Sequence, residues 1–122
     1  MGAAFIPDFE VAHIGVNCGS EAAASDCADF FQRVFGLARN PAKESADSCY
    51  TGTTLEWVKK PGRGTHGHIA ITTADLPAAR AYLEERGFPF DDASAKFKPD
   101  GSILVIYGSR EIAGFAIHLQ QR

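Results

Sequence analysis

The sequence predicts an α+β fold in which two βαβββ modules combine into one curved, mixed sheet. Three observations carry this expectation. Two amphipathic helical segments each follow one strand-like run and precede several more. Short stretches recur in the same order in both halves, and 122 residues with 45% apolar content suit one core rather than two.

The first strand is read over residues 9–17 of "FEVAHIGVNC", where apolar positions alternate as one buried sheet face requires. "SEAAASDCADFFQRVFG" follows, with Ser20 as N-cap, Cys27, Phe30, Phe31, Val34 and Phe35 at helical spacing, and Gly36 where a C′ glycine belongs. Trp57 and the helix phenylalanines Phe30, Phe31 and Phe35 are assigned to helix–sheet packing. From Leu37 to Lys60, breaks at "NPAK", "SADS" and "TGT" divide the chain into three short strands. "PGRG" is read as a plain crossover between the halves, because it lacks the Lys-Ser/Thr ending of a phosphate loop.

The second half opens on "HIAITT". The helix "ADLPAARAYLEERG" has Asp75 as cap, Pro77 in the first turn and Gly87 at its end. Three more strands follow, with "KPDG" as a hairpin-type turn. "HIGV" matches "HIAI", and "GTTLEW" lines up with "GFAIHL", so the order of landmarks holds while loop lengths differ. The reading is one domain over residues 1–122, with modules at about 9–60 and 66–120. A module of roughly 60 residues buries too little surface to stand alone, so the two should pack as one unit.

Composition narrows the partners. The net charge is −3 with Lys and Arg scattered among acids, so no basic face argues for nucleic acid. No run of 18 apolar residues suggests a membrane span, and "MGAAFIPDFE" lacks the pattern of a signal peptide. Three cysteines, Cys18, Cys27 and Cys49, without CxxC spacing fit a reducing compartment. A cytoplasmic protein with a small-molecule partner is the expectation.

The repeat places a metal-competent residue at four equivalent points. His13 and His68 lie in the first strands of the halves, and Glu56 and His118 in the last. Alternation puts Glu56 opposite Leu55 and Trp57, and His118 opposite Ile117 and Leu119. Helices packed on the apolar side leave these four in a concavity on the other. Three imidazoles and a carboxylate suit Zn²⁺, Ni²⁺, Co²⁺, Mn²⁺ or Fe²⁺, with too few oxygens for calcium. His66, two residues before His68, has no counterpart in the first half and is read as exposed. Lys60 and Arg63 near the end of the Glu56 strand, with Tyr107, are candidates for holding an acidic substrate. Cys49 and Tyr50 are further candidates for the cavity lining.

The paired modules with "HIGV", "LEW", "HIAI" and "AIHL" resemble the vicinal oxygen chelate superfamily, which includes glyoxalases, bleomycin-resistance proteins and extradiol dioxygenases. "HIGVNCGSEAAA", "KKPGRGTHGHIAI" and "AGFAIHLQQ" are similar, more narrowly, to the small domain associated with 2-keto-3-deoxy-phosphogluconate/4-hydroxy-2-oxoglutarate aldolases. The resemblance spans about Phe9 to Gln120 and implies metal ligation by His13, Glu56, His68 and His118. It also implies a homodimer. Glyoxalase I members usually carry a glutamate where this chain has His118, and the dioxygenases place their glutamate on the final strand. The implied activity is therefore a divalent-metal-dependent lyase or isomerase acting on a small 2-oxo or hydroxy acid. Glu56 or His118 would move the proton; the alternative is a non-catalytic metal- or ligand-binding accessory module.

Overall fold

In the computed structural model, which describes residues 4–122, a single seven-stranded mixed sheet runs in the order β2-β3-β1-β4-β7-β6-β5. Its strands are β1 (Glu10–Asn17), β2 (Ser48–Thr51), β3 (Leu55–Val58), β4 (Gly67–Thr73), β5 (Phe90–Phe97), β6 (Ile103–Ile112) and β7 (Phe115–Gln121). Helix α1 (Glu21–Phe35) follows β1, and α2 (Leu76–Glu85) follows β4. The sheet is open at both edges. The expectation for the first three residues lies outside the described part of the chain.

The two halves meet through β1 and β4, which pair antiparallel at the middle of the sheet. Each module then adds its last strand in parallel, β3 beside β1 and β7 beside β4, and this is the internal duplication expressed as topology. The copies differ in one respect. Only two strands form between Leu37 and Lys60, where three were expected. The "NPAK" segment is a 3-10 turn over Pro41–Lys43, and the remaining strand is reduced to a single bridge between Arg39 and Thr51. Asn40 accounts for the loss: its side chain accepts from the Ala42 amide and donates to the Gly52 carbonyl, satisfying locally backbone groups that a strand would pair.

Both helices begin and end as their sequences direct. Ser20 accepts from the Ala23 amide, Gly36 closes α1 at φ 70°, and Asp75 accepts from the Ala78 amide at the start of α2. Each helix covers one flank of the same sheet face. Under α1 lie Ala24, Ala28, Cys49 and Trp57, with Phe31 against them; under α2 lie Leu76, Ala79, Phe90, Ile106 and Leu119.

Phe30 and Phe35 were expected in this packing and are not there: they are 44% and 59% exposed and touch each other instead. The stripe that meets the sheet is Ala24, Cys27, Ala28 and Phe31. Fifteen helical residues run about 22 Å, whereas the four-residue strands β2 and β3 run only about 13 Å. The last turn of α1, residues 32–35, is exposed, and Phe30 lies about 100° round the helix from the buried Phe31.

A cavity of about 280 Å³ opens on this helix-covered face, with an apolar wall that includes Ile71, Leu83, Phe88, Phe90 and Ile117. The shared order of strands in the two halves leaves the opposite, concave face for polar side chains. No helix among the described residues is long and apolar enough to cross a membrane.

Candidate metal centre

The concave face can be built from register alone. One transverse row runs Tyr50, Glu56, Gly15, His68 and Ala116 across β2, β3, β1, β4 and β7. The neighbouring row runs His13, Ala70, His118 and Tyr107 across β1, β4, β7 and β6. Residues two apart on a strand share a face, so both rows point the same way. Small residues alternate with the large polar ones: Gly15 separates Glu56 from His68, and Ala70 separates His13 from His118. Those gaps let the imidazoles lean together.

Three donor atoms converge there. Nε2 of His13 lies 3.3 Å from Oε1 of Glu56, Nε2 of His68 lies 3.0 Å from the same oxygen, and the two nitrogens are 3.2 Å apart. Among the described residues, these three form the group whose ligand atoms all fall within 4.8 Å of one another. His118 is placed beside the trio rather than in it, its ring stacked on His68 at 5.3 Å and edge-on to His13 at 5.6 Å.

Electrostatics distinguishes Glu56 from His118. Burial pushes the Glu56 carboxyl up, but hydrogen bonds from His13, His68 and Ser48 outweigh it and hold the group well below the usual carboxylate range. Glu56 is therefore an anion. Burial, reinforced by His68 and His13, depresses the His118 imidazole to about 3, so it is neutral. Both its ring nitrogens are buried and make no hydrogen bond, an arrangement native interiors usually avoid.

Two nitrogens and one carboxylate oxygen within 3.3 Å, with a neutral imidazole alongside, fit the donor set of a divalent transition ion. His118 has a lone pair to offer, and the anionic Glu56 supplies balancing charge.

Sequence reasoning missed two contributors. Ser48, buried on β2, donates to Oε2 of Glu56 at 2.5 Å and leaves Oε1 for the histidines. Gly15 is the other: a Cβ on it would collide with Cε1 of His68, so the ring rests directly on the β1 backbone. Ser48 was findable in principle, since it lies two residues from Tyr50 and thus shares its face. Nothing in sequence marks Gly15 except its place in "HIGV".

The remaining candidates separate. Tyr107 is edge-on to His118 at 5.1 Å, and Arg63 lies over the Tyr107 ring at 5.0 Å while pairing with Asp91 at 3.1 Å. Lys60 is at the surface, paired with Asp47 at 3.3 Å. His66 is exposed and rests against Phe115 at 6.0 Å. Tyr50 stands edge-on to His13 at 6.0 Å, whereas Cys49 points into the core under α1. The three cysteines are free.

No known family profile matches the chain, and no curated relative matches it at a significant level. Solved structures do match in fold. A hypothetical protein, BH1468 from Bacillus halodurans C-125, superposes with a TM-score of 0.62 at 16% identity, covering 95% of this chain and 96% of that one. The methylmalonyl-CoA epimerase of Mycobacterium tuberculosis gives 0.60 at 13% identity over 91% and 86% of the two chains. A single-substitution variant of the Streptomyces coelicolor methylmalonyl-CoA epimerase, in complex with 2-nitronate-propionyl-CoA, gives 0.57 at 17% over 92% and 93%. Near-complete coverage in both directions identifies the same glyoxalase-like fold, whatever the chemistry.

Proposed function

We propose that this chain is a divalent-metal-dependent enzyme that moves a proton on a carbon beside a carbonyl: an isomerase or lyase acting on a small 2-oxo or hydroxy acid. The observation that carries this reading is the convergence of His13 Nε2, Glu56 Oε1 and His68 Nε2 within 3.0–3.3 Å on the concave face. In this reading His13, Glu56, His68 and His118 hold the ion. When bound, such an ion binds substrate oxygens and stabilises enolate-like charge.

The chain's own groups divide the remaining work. Glu56 has both oxygens engaged, Oε1 by two histidines and Oε2 by Ser48, which suits a fixed anionic ligand. His118 has two unengaged ring nitrogens beside that cluster and is neutral, which suits it to ligate through a free lone pair; held near 3 it is a weak base, and ligation is the role its burial favours. Tyr50 and Tyr107 both stay protonated, because burial and the nearby Glu56 charge push their hydroxyls up. They can donate to a substrate oxygen. Arg63, against Tyr107, is the proposed counter-charge for a substrate carboxylate, with Lys60 further out.

An epimerase is the kind of activity named for several fold neighbours, and proton transfer is what this donor set favours over the accessory-module reading. A place beside a sugar-acid aldolase rests on the sequence motifs alone. The test is direct. Purified protein is expected to release one equivalent of divalent metal on denaturation, and His68→Ala to abolish it. Deuterium from D₂O is expected to enter a C–H beside the carbonyl of a 2-oxo acid in the wild type only. No metal after loading with Zn²⁺, Ni²⁺ or Mn²⁺ would sink the proposal; metal without exchange would favour the accessory reading. Light scattering of the same sample reads the proposed homodimer, for which Val11, Ile14 and Ile112 are exposed apolar candidates on the helix-bearing side.

A further inference from the structure

The two tyrosines of the concave face are related by the internal duplication. Tyr50 on β2 stands directly opposite Glu56 on β3, and Tyr107 on β6 stands directly opposite His118 on β7. Both pairs are antiparallel neighbours, so each tyrosine holds the same position relative to its module's last-strand site residue. Each also carries a cation over its ring: Nζ of Lys43 is 4.9 Å from the Tyr50 centroid, and the Arg63 guanidinium is 5.0 Å from that of Tyr107. The repeat therefore extends beyond the histidine and glutamate positions to an aromatic ring topped by positive charge.

The two tyrosines lie on β2 and β6, on either side of the strands that carry Glu56 and the three histidines. Between the tyrosines lie His13, at 6.0 Å from Tyr50, and His118, at 5.1 Å from Tyr107. No carboxylate of the described residues lies within 4.0 Å of Lys43 Nζ, whereas Arg63 is paired with Asp91. That pair is 45% and 38% exposed, so solvent screens it and an incoming anion can displace the aspartate. A quadrupole beneath each cation holds it near the ring without neutralising it.

We propose that the site takes a dianionic small molecule with an acidic group at each end, one received by Lys43 over Tyr50 and the other by Arg63 over Tyr107. This deepens the proposed function by naming a substrate class, a dicarboxylate or a phosphorylated carboxylic acid, and rests on it for the reacting centre between the two ends. A monoanion would engage only one cation and gain correspondingly less.

Calorimetric titration with straight-chain dicarboxylates from succinate to hexadecanedioate, long enough to follow the ring-to-ring path between the tyrosines, each against the monocarboxylate of equal length, tests this. The expected result is at least one dicarboxylate binding about tenfold tighter than its monocarboxylate, with Lys43→Met and Arg63→Met each lowering that preference about 3- to 5-fold. Lys43→Arg is expected to retain it. 3-Phosphoglycerate as a competitor, with glycerol 3-phosphate and inorganic phosphate as its one-ended controls, separates the phosphorylated class from the dicarboxylates. Equal affinities at every length, or a preference indifferent to Lys43→Met, would overturn the inference. Metal content is read on the same samples: preference without metal would remove the reacting centre but not the two-ended site, and metal without preference would do the reverse.

Discussion

At the residue scale, the candidate site depends as much on a missing side chain as on the four polar ones. Gly15 pairs with Glu56 on one side and His68 on the other, and the His68 ring occupies the volume a Cβ would need. Gly15→Ala must therefore push the imidazole off the strand and turn Nε2 away from Glu56. Groups that orient a ligand typically change metal affinity 10- to 100-fold when altered, and the expected loss here is about that size. Metal titration of the stripped variant checks it, with far-UV circular dichroism expected to stay that of the wild type; an unchanged affinity would rule the idea out. The four polar positions were legible in sequence because the repeat sets His13 against His68 and Glu56 against His118. Gly15 was not, since its role arises from cross-strand register, which no single strand encodes, whereas Ser48 was readable from its place two residues before Tyr50 on one strand.

At the element scale, α1 illustrates what periodicity can and cannot reveal. Capping by Ser20 and termination at Gly36 were readable because they are local hydrogen-bonding and φ requirements. The choice of buried phenylalanine was not local. Phe31 meets Trp57 at 5.1 Å, while Phe30, about 100° round the helix from it, and Phe35, in the exposed last turn, stand outside the stripe that faces the sheet. Phe31→Ala is accordingly expected to destabilise by roughly 2–3 kcal/mol, somewhat under the range for a fully buried phenylalanine. Phe30→Ala should cost less than about 1 kcal/mol. Urea midpoints of the two variants give the comparison, and equal losses would show that the exposed ring contributes as much as the buried one. The lost strand at "NPAK" follows the same logic, because Asn40 satisfies its neighbours locally before the sheet can recruit them.

At the scale of the whole molecule, Asp8 ties the segment before β1 to the far end of the chain. Its carboxylate accepts from the Thr73 hydroxyl at 2.7 Å and the Ala74 amide at 2.9 Å where β4 ends, and pairs with Arg122 at 2.7 Å. The Ala74 amide first, then the Thr73 hydroxyl, hold this carboxyl below its ordinary value. A folded-state value below the unfolded one means that the native state binds fewer protons in that range. Its contribution to stability is thus fully present above the unfolded value, near pH 4, and is lost as pH falls through the folded value. Asp8→Asn should lower the melting temperature at pH 6 and lose less on acidification than the wild type, so that the two curves converge towards pH 2. Other carboxylates, Asp100 in the β5–β6 turn among them, are depressed in both proteins and cancel in the difference. Curves that stay parallel from pH 6 to 2 would mean that the bond network around Asp8 holds the termini without its charge, and that the convergence must be sought at another carboxylate.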